Sequence, residues 1–171
     1  MGHDDPIGRL ARQIDASRKS ERLLVSAEEI AALRRRSASE LHRICSEFVS
    51  SLNARLSQAR LELAPPTYAP EMFRDRAVNL MQVSSQGRQM QVVFQATHPL
   101  FSIDKYSVPY ILEGEIRTYN QSMLEHFEIR NQSLFYCIDD GAAFWRFFDW
   151  RNPRVTAVDA DLLARLMQPL F

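Results

Sequence analysis

Apolar residues recur at helical spacing over residues 26–63, and this periodicity predicts one long amphipathic helix. Ser26 and Glu29 have the spacing of a capping box, and the flanking apolar residues have the spacing of a hydrophobic staple. The helix is predicted to end before Pro65, because proline cannot continue a helix. Its apolar face consists of Ile30, Leu41, Ile44, Cys45, Phe48, Leu52, Leu56 and Ala59.

Beyond Pro65 the pattern changes to an alternation of apolar and polar residues, which is typical of half-buried strands. Two such runs, joined by a three-residue loop that ends at Gly87, predict a hairpin that pairs Leu80 with Val92 and Val78 with Phe94. The predicted strands cover residues 76–83, 88–97, 108–117, 124–130, 133–139 and 142–150.

The turns between these strands set a register that leaves one face of the sheet apolar across four strands. In this register Phe127 lies between Ile116 and Tyr136, and Tyr136 pairs with Trp145. We expect the long helix to pack on this face. The opposite face is again apolar toward the last strands, and a C-terminal helix capped by Thr156 or Asp159 is predicted to cover it. The alternative is that a partner or a ligand covers this face. The residues to be covered are Phe135, Cys137, Phe144, Phe148 and Trp150.

The sequence therefore predicts an α+β fold, in which a long N-terminal amphipathic helix packs on an antiparallel β-meander of about six strands with a C-terminal helix. Residues 1–25 are predicted to form an N-terminal helical arm, and residues 26–171 a single α+β domain. Within that domain the long helix covers residues 26–63, the meander residues 76–150, and the C-terminal helix residues 157–168.

Composition and charge narrow the classes of partner. The chain has 171 residues with 46% hydrophobic content, which is enough to bury a core. The formal net charge is zero, so no electrostatic footprint for nucleic acid is predicted. No apolar run approaches the length of a membrane-spanning helix, and the first 25 residues carry no apolar signal segment. We therefore expect a cytoplasmic protein with no membrane partner.

The predicted register brings charged residues of neighbouring strands together. Glu115 lies opposite Glu128, and Arg117 lies opposite His126. Two facing carboxylates can carry acid–base chemistry when one of them has a raised pKa. The alternative is a solvated ladder in which arginines relieve the repulsion. His98 adds a further polar side chain in the long connection after the second strand, where functional residues often lie.

Other candidate chemistry is weaker. His42 and Cys45 are one helical turn apart, but two residues do not make a metal site, and Cys45 belongs to the apolar face. The run Arg34-Arg35-Arg36 is predicted to be a solvated turn of helix. The sequence contains no glycine-rich phosphate loop, no G-x-S-x-G and no H-E-x-x-H motif. We therefore expect no cofactor and no metal, and the pattern disfavours an enzyme.

Two functions from different classes remain. The first is a non-catalytic module that self-associates or binds a protein partner, because Ile7–Ile14 and Ile30–Leu33 are apolar segments that a single sheet cannot cover. The second is a small-molecule binding cup, or a weakly marked enzyme, between the long helix and the aromatic sheet. Its candidate ligand-binding residues are Tyr110, Phe127, Tyr136, Trp145, Glu115, Glu128, His126 and His98.

Overall fold

A computed structural model describes residues 5–21, 26–139, 141–149 and 152–171. The α+β class is confirmed: the described chain combines helices with a seven-stranded antiparallel sheet. The helices are α1 (Pro6–Glu21), α2 (Ala27–Asn53), α3 (Gln121–Glu125) and α4 (Ala160–Met167). The strands are β1 (Glu62–Ala64), β2 (Asn79–Ser85), β3 (Arg88–Ala96), β4 (Tyr110–Tyr119), β5 (Arg130–Asp139), β6 (Ala142–Asp149) and β7 (Asn152–Ala157).

The strands lie in the sheet in chain order, from β1 to β7, and each pairs antiparallel with the next. The helices α2 and α4 pack on one face, which we call the inner face. The main core between them and the sheet includes Leu41, Phe48, Phe94, Tyr136, Trp145 and Leu163. No described helix is long and apolar enough to cross a membrane.

Helix α2 begins where the capping signal predicts, but it ends earlier. The Ser26 side chain accepts from the Glu29 amide at 3.2 Å, and the Glu29 carboxylate accepts from the Ser26 amide at 3.1 Å. The predicted end near residue 63 is wrong, since α2 ends at Asn53. The Asn53 side chain bonds both the amide and the carbonyl of Leu61, at 2.8 and 3.0 Å. This clamp holds the returning chain, whose next residues form β1 against β2.

The β2–β3 hairpin forms, but its register differs by one residue from the prediction. Its loop has two residues, Gln86 and Gly87, with φ angles of 50° and 77°. Both angles are positive, as a tight hairpin turn requires. Leu80 therefore pairs with Val93 rather than Val92. A slip of one residue exchanges the two faces of a strand, so Leu80 is 48% exposed while Met81 is buried.

The predicted strand over residues 124–130 is wrong. The Asn120 side chain accepts from the Met123 amide at 2.9 Å and caps α3, so the chain turns helically after β4. β5 consequently pairs directly with β4, and Ile116 faces Gln132 instead of Phe127. The pair Tyr136–Trp145, predicted between the next two strands, is confirmed, and Leu134 pairs with Phe147 in the same register.

The predicted cover of the outer face by the C-terminal helix is also wrong. Asp159 caps α4, accepting from the Leu162 amide at 2.8 Å, but Leu162, Leu163 and Met167 join the inner core. Strand β7, which was not predicted, continues the meander before α4 begins. The second apolar cluster, on the outer face, is instead packed by the connection between β3 and β4; its members are Tyr110, Phe135, Cys137, Tyr106, Val108, Phe144 and Phe148. Trp150, the other residue predicted there, lies outside the described residues.

Candidate functional site

Tyr136 and Trp145 lie between α2 and the sheet, where the binding cup is predicted. Both side chains are buried, and their ring centroids are 5.2 Å apart. Trp145 Nε1 donates to the carbonyl of Ser37 in α2 at 2.8 Å, and Phe94 packs edge-on against the indole at 5.7 Å. These aromatic side chains therefore fill the space between α2 and the sheet at this point.

Tyr110 lies on the other side of the sheet from these two residues. A bulge between Tyr110 and Leu112 breaks the alternation of β4, so Leu112 and Ile111 join the inner core and Tyr110 joins the outer cluster. The Tyr110 ring lies 4.8 Å from that of Phe135, and its hydroxyl accepts from the Lys105 amide at 3.0 Å. A bulge of this kind has no clear signal in the sequence.

The remaining predicted ligand residues are dispersed. Phe127 is 94% exposed in the turn between α3 and β5, and His126 and Glu128 beside it are exposed as well. His98 is exposed in the connection after β3. Glu115 faces Ser133, so the predicted pairing of Glu115 with Glu128, and that of Arg117 with His126, are wrong. These two pairings do not form because the capped helix α3 replaces the predicted strand.

Helix α1 presents an apolar stripe to solvent. Asp5 caps it, accepting from the Ile7 and Gly8 amides at 3.1 and 3.0 Å. Ile7, Leu10 and Ile14, which we call the α1 stripe, are 79%, 56% and 54% exposed. The spacing of these three residues places them on one side of a helix.

The opposite side of α1 faces the domain. It lines a cleft of about 410 Å³ together with residues 103–107 of the connection between β3 and β4. The residues that α1 contributes are Arg9, Arg12, Gln13 and Ala16. The usual orientation of an amphipathic helix, with its apolar side toward the protein, is therefore reversed.

A second cleft, which we call the outer cleft, lies on the outer face of the sheet and has a volume of about 310 Å³. Cross-strand rows build it: Val93, Glu115 and Ser133 form one row, and Gln95, Glu113 and Phe135 form the next. Its lining also includes Val78, Phe94, Lys105, Gly114 and Arg117.

Both carboxylates of the outer cleft have partners. Lys105 Nζ lies 3.2 Å from Glu113 Oε2, and Gln95 Nε2 lies 3.4 Å from Glu113 Oε1. Glu115 pairs with Arg117 and accepts a hydrogen bond from Asn131. The outer cleft therefore combines apolar residues with charged groups of both signs.

Arg34 holds the connection that borders this cleft. The predicted solvated turn is wrong at this residue, since Arg34 is buried. Its Nε donates to the Ile111 carbonyl at 3.1 Å, and its Nη2 lies 3.1–3.2 Å from oxygens of Thr97, Pro99 and Leu100. Burial lowers the pKa of the guanidinium, and nearby Asp75 acts in the opposite direction.

The surroundings of both cysteines and of His42 indicate a role in packing rather than in chemistry. Burial raises the pKa of Cys45 and that of Cys137 to about 12, so both are neutral thiols near pH 7. His42 Nε2 lies 2.8 Å from the Pro65 carbonyl, and its ring stacks on Tyr68. Within the described ranges, no group of three or more His, Cys, Asp or Glu residues is placed to hold a metal ion.

Comparison with known proteins adds no functional assignment: no family model matches the chain, and no match is found among curated proteins or solved structures. The function is therefore inferred from the surfaces of the protein. Sequence reasoning named Glu115 but missed Lys105, Glu113 and Val93 as neighbours in the outer cleft. The alternation of Glu113, Glu115 and Arg117 along β4 is a signal for a polar outer face, whereas the approach of Lys105 depends on the path of the connection.

Proposed function

We propose that this protein is a non-catalytic interaction module that self-associates, with the α1 stripe as the contact to a second copy. The observation that carries the proposal is the reversed orientation of α1, which directs Ile7, Leu10 and Ile14 away from the domain. Burying a large aliphatic side chain contributes about 1.5–3 kcal/mol, so this stripe gains from any apolar partner surface.

A second copy of the chain suits the stripe because its apolar residues are arranged nearly symmetrically, with Ile7 three residues before Leu10 and Ile14 four residues after it. In an antiparallel pair of α1 helices whose two-fold axis passes next to Leu10, Ile7 meets Ile14 of the second copy and the two Leu10 side chains lie close to the axis. Such an isologous contact needs only one self-complementary surface. The three side chains supply less area than a stable dimer interface of about 800 Å² per partner. We therefore expect weak association that depends on protein concentration.

Multi-angle light scattering and sedimentation velocity between about 1 and 500 μM, the range suited to weak complexes, test the proposal. The wild-type protein should shift from monomer toward dimer, and Leu10→Glu should remain monomeric because each dimer would bury two facing carboxylates. The matched control is Phe127→Glu, which places the same charge at a side chain that is 94% exposed on another surface. This control should associate like the wild type.

A wild-type protein that remains monomeric at the highest concentration would overturn self-association. Equal weakening by Leu10→Glu and Phe127→Glu would overturn the assignment to α1. Association with lipid vesicles by a protein that stays monomeric would instead assign the stripe to a membrane surface.

The second candidate, a small-molecule cup between α2 and the sheet, has less support. Its central residues, Tyr136 and Trp145, pack against each other and against α2. The two clefts described above lie outside this core, at α1 and on the outer face. A cytoplasmic location is also part of the proposal, since both cysteines are free thiols, as is usual in a reducing compartment.

A further inference from the structure

The outer cleft contains a carboxylate that is held firmly and a cation that is not. The Glu113 side chain is 20% exposed, whereas the Lys105 side chain that pairs with it is 65% exposed. Glu113 belongs to the central strand β4, and Gln95 of β3 supports its second oxygen. Lys105 belongs to the irregular connection before β4. Replacing the ammonium therefore requires only a rotation of an exposed lysine side chain.

The backbone at Lys105 is anchored even though its side chain is exposed. The Lys105 amide donates to the Tyr110 hydroxyl at 3.0 Å, and neighbouring Tyr106 stacks on Phe135 at 5.6 Å. The border of the cleft is consequently fixed while the four-carbon stem can move. The cleft does not need to rearrange in order to release the Lys105 ammonium from Glu113.

The rest of the cleft favours an apolar chain next to this carboxylate. The apolar residues Val78, Val93 and Phe135 are part of its lining. A volume of about 310 Å³ is at the lower end of the range for small-molecule sites. Glu115 already pairs with Arg117 and accepts a hydrogen bond from Asn131. Glu113 is thus the carboxylate best placed to accept an ammonium group from a ligand.

We propose that the outer cleft binds a primary alkylamine, whose ammonium replaces that of Lys105 on Glu113 and whose alkyl chain lies over Val93 and Val78. Lys105 then acts as an internal competitor, because its own side chain is a primary alkylamine attached to the protein. This reverses the usual expectation for a residue that lines a site: removing Lys105 should strengthen binding, and removing the charge of Glu113 should weaken it.

Titration of the full-length protein with n-hexylamine, followed by NMR chemical shifts or calorimetry, tests this inference at low salt. Lys105→Ala should bind about two- to fivefold more tightly than the wild type, as expected when a surface ion pair competes. Glu113→Gln should bind about tenfold or more weakly, since a charge-assisted contact is lost. Glu128→Gln, which removes an exposed carboxylate elsewhere, is the matched control and should bind like the wild type.

Two further six-carbon ligands, n-hexanol and hexanoate, separate the contribution of the ammonium group to binding from that of the carbon chain. Both should bind at least tenfold more weakly than the amine, because neither presents a cation to Glu113. Equal binding of hexanol and hexylamine, or unchanged affinity in Lys105→Ala, would overturn the proposal. If Glu113→Gln lowers the melting temperature, the comparison between Lys105→Ala and the wild type still decides. Self-association through α1 is measured separately, so failure of one proposal leaves the other intact.

Discussion

Arg34 stabilises the connection between β3 and β4 through backbone oxygens rather than through a carboxylate. Its guanidinium lies against the carbonyls of Thr97, Pro99, Leu100 and Ile111. Buried carbonyl groups without hydrogen bonds destabilise a fold, and a planar guanidinium with five N–H groups can satisfy several of them. Arg34 therefore holds the start of this connection, residues 97–100, next to β4.

Replacing Arg34 by methionine should lower the free energy of unfolding by about 2–4 kcal/mol, because buried acceptors lose a charged donor. Chemical denaturation followed by circular dichroism measures the change. Arg35→Met is the matched control. The Arg35 side chain is 51% exposed and lies 3.9 Å from Asp75, so this substitution should change the free energy of unfolding by no more than about 0.5 kcal/mol. Similar losses in both variants would contradict this role of Arg34.

Cys45 and Cys137 should be unreactive in the folded protein. Their burial raises the pKa of each thiol from 9.0 to about 12, and the thiolate is the reactive species. Because the thiol pKa is higher in the folded state than in the unfolded state, its contribution to the free energy of unfolding is fully present below pH 9. This contribution is lost as the pH rises toward 12. At pH 8.5 we expect no reaction of the native thiols with a disulfide reagent on the timescale in which the denatured chain reacts fully. Rapid reaction of either native thiol would contradict this expectation.

Among the helices and strands, the sequence predicts α1, α2, α4 and β2 to β6, but it misses β1, α3 and β7. The capping box at Ser26 is a local signal and was confirmed, whereas the end of α2 depends on the contact of Asn53 with Leu61, eight residues later. The β2–β3 hairpin was predicted with a loop one residue too long. Because strand faces alternate, that single residue exchanged buried and exposed positions along β2.

The outer cleft was less predictable than the fold for the same reason. Glu113 and Arg117 alternate with core residues of β4, so their outward direction follows from the sequence. The contact of Glu113 with Lys105 follows only when the connection is placed by Arg34 and by the stacking of Tyr106 on Phe135. Contacts between distant segments of this kind have no local periodicity to reveal them.

Helix α4 packs on the inner face of the sheet through its apolar side. Leu163 is fully buried in the main core, so Leu163→Ala should lower the free energy of unfolding by about 2–5 kcal/mol. Thermal and urea unfolding measure this loss. Arg165→Ala, on the exposed side of the same helix, should change the stability by less than about 0.5 kcal/mol. If Leu163→Ala unfolds like the wild type, α4 does not contribute to the core.

For the whole molecule, the sheet leaves two edge strands that are poor templates for pairing with another chain. β1 has three residues, and β7 contains Pro153, which cannot donate a backbone hydrogen bond. Short edge strands and proline are common protections against edge-to-edge association. Pairing of sheet edges between two copies is therefore disfavoured, which leaves the proposed contact through α1.

The state of α1 should follow the concentration of the protein. A single helix of about this length is marginally stable in water, and the side chains of Ile7, Leu10 and Ile14 in α1 are exposed. Hydrogen exchange measured by mass spectrometry should find α1 amides exchanging fast at low micromolar concentration and several-fold more slowly at the highest concentration. Amides of β3 and β4, in the centre of the sheet, should exchange at the same slow rate throughout and serve as the internal control. Protection of α1 that does not change with concentration would mean that the domain alone holds this helix, and the stripe would then have no role in self-association.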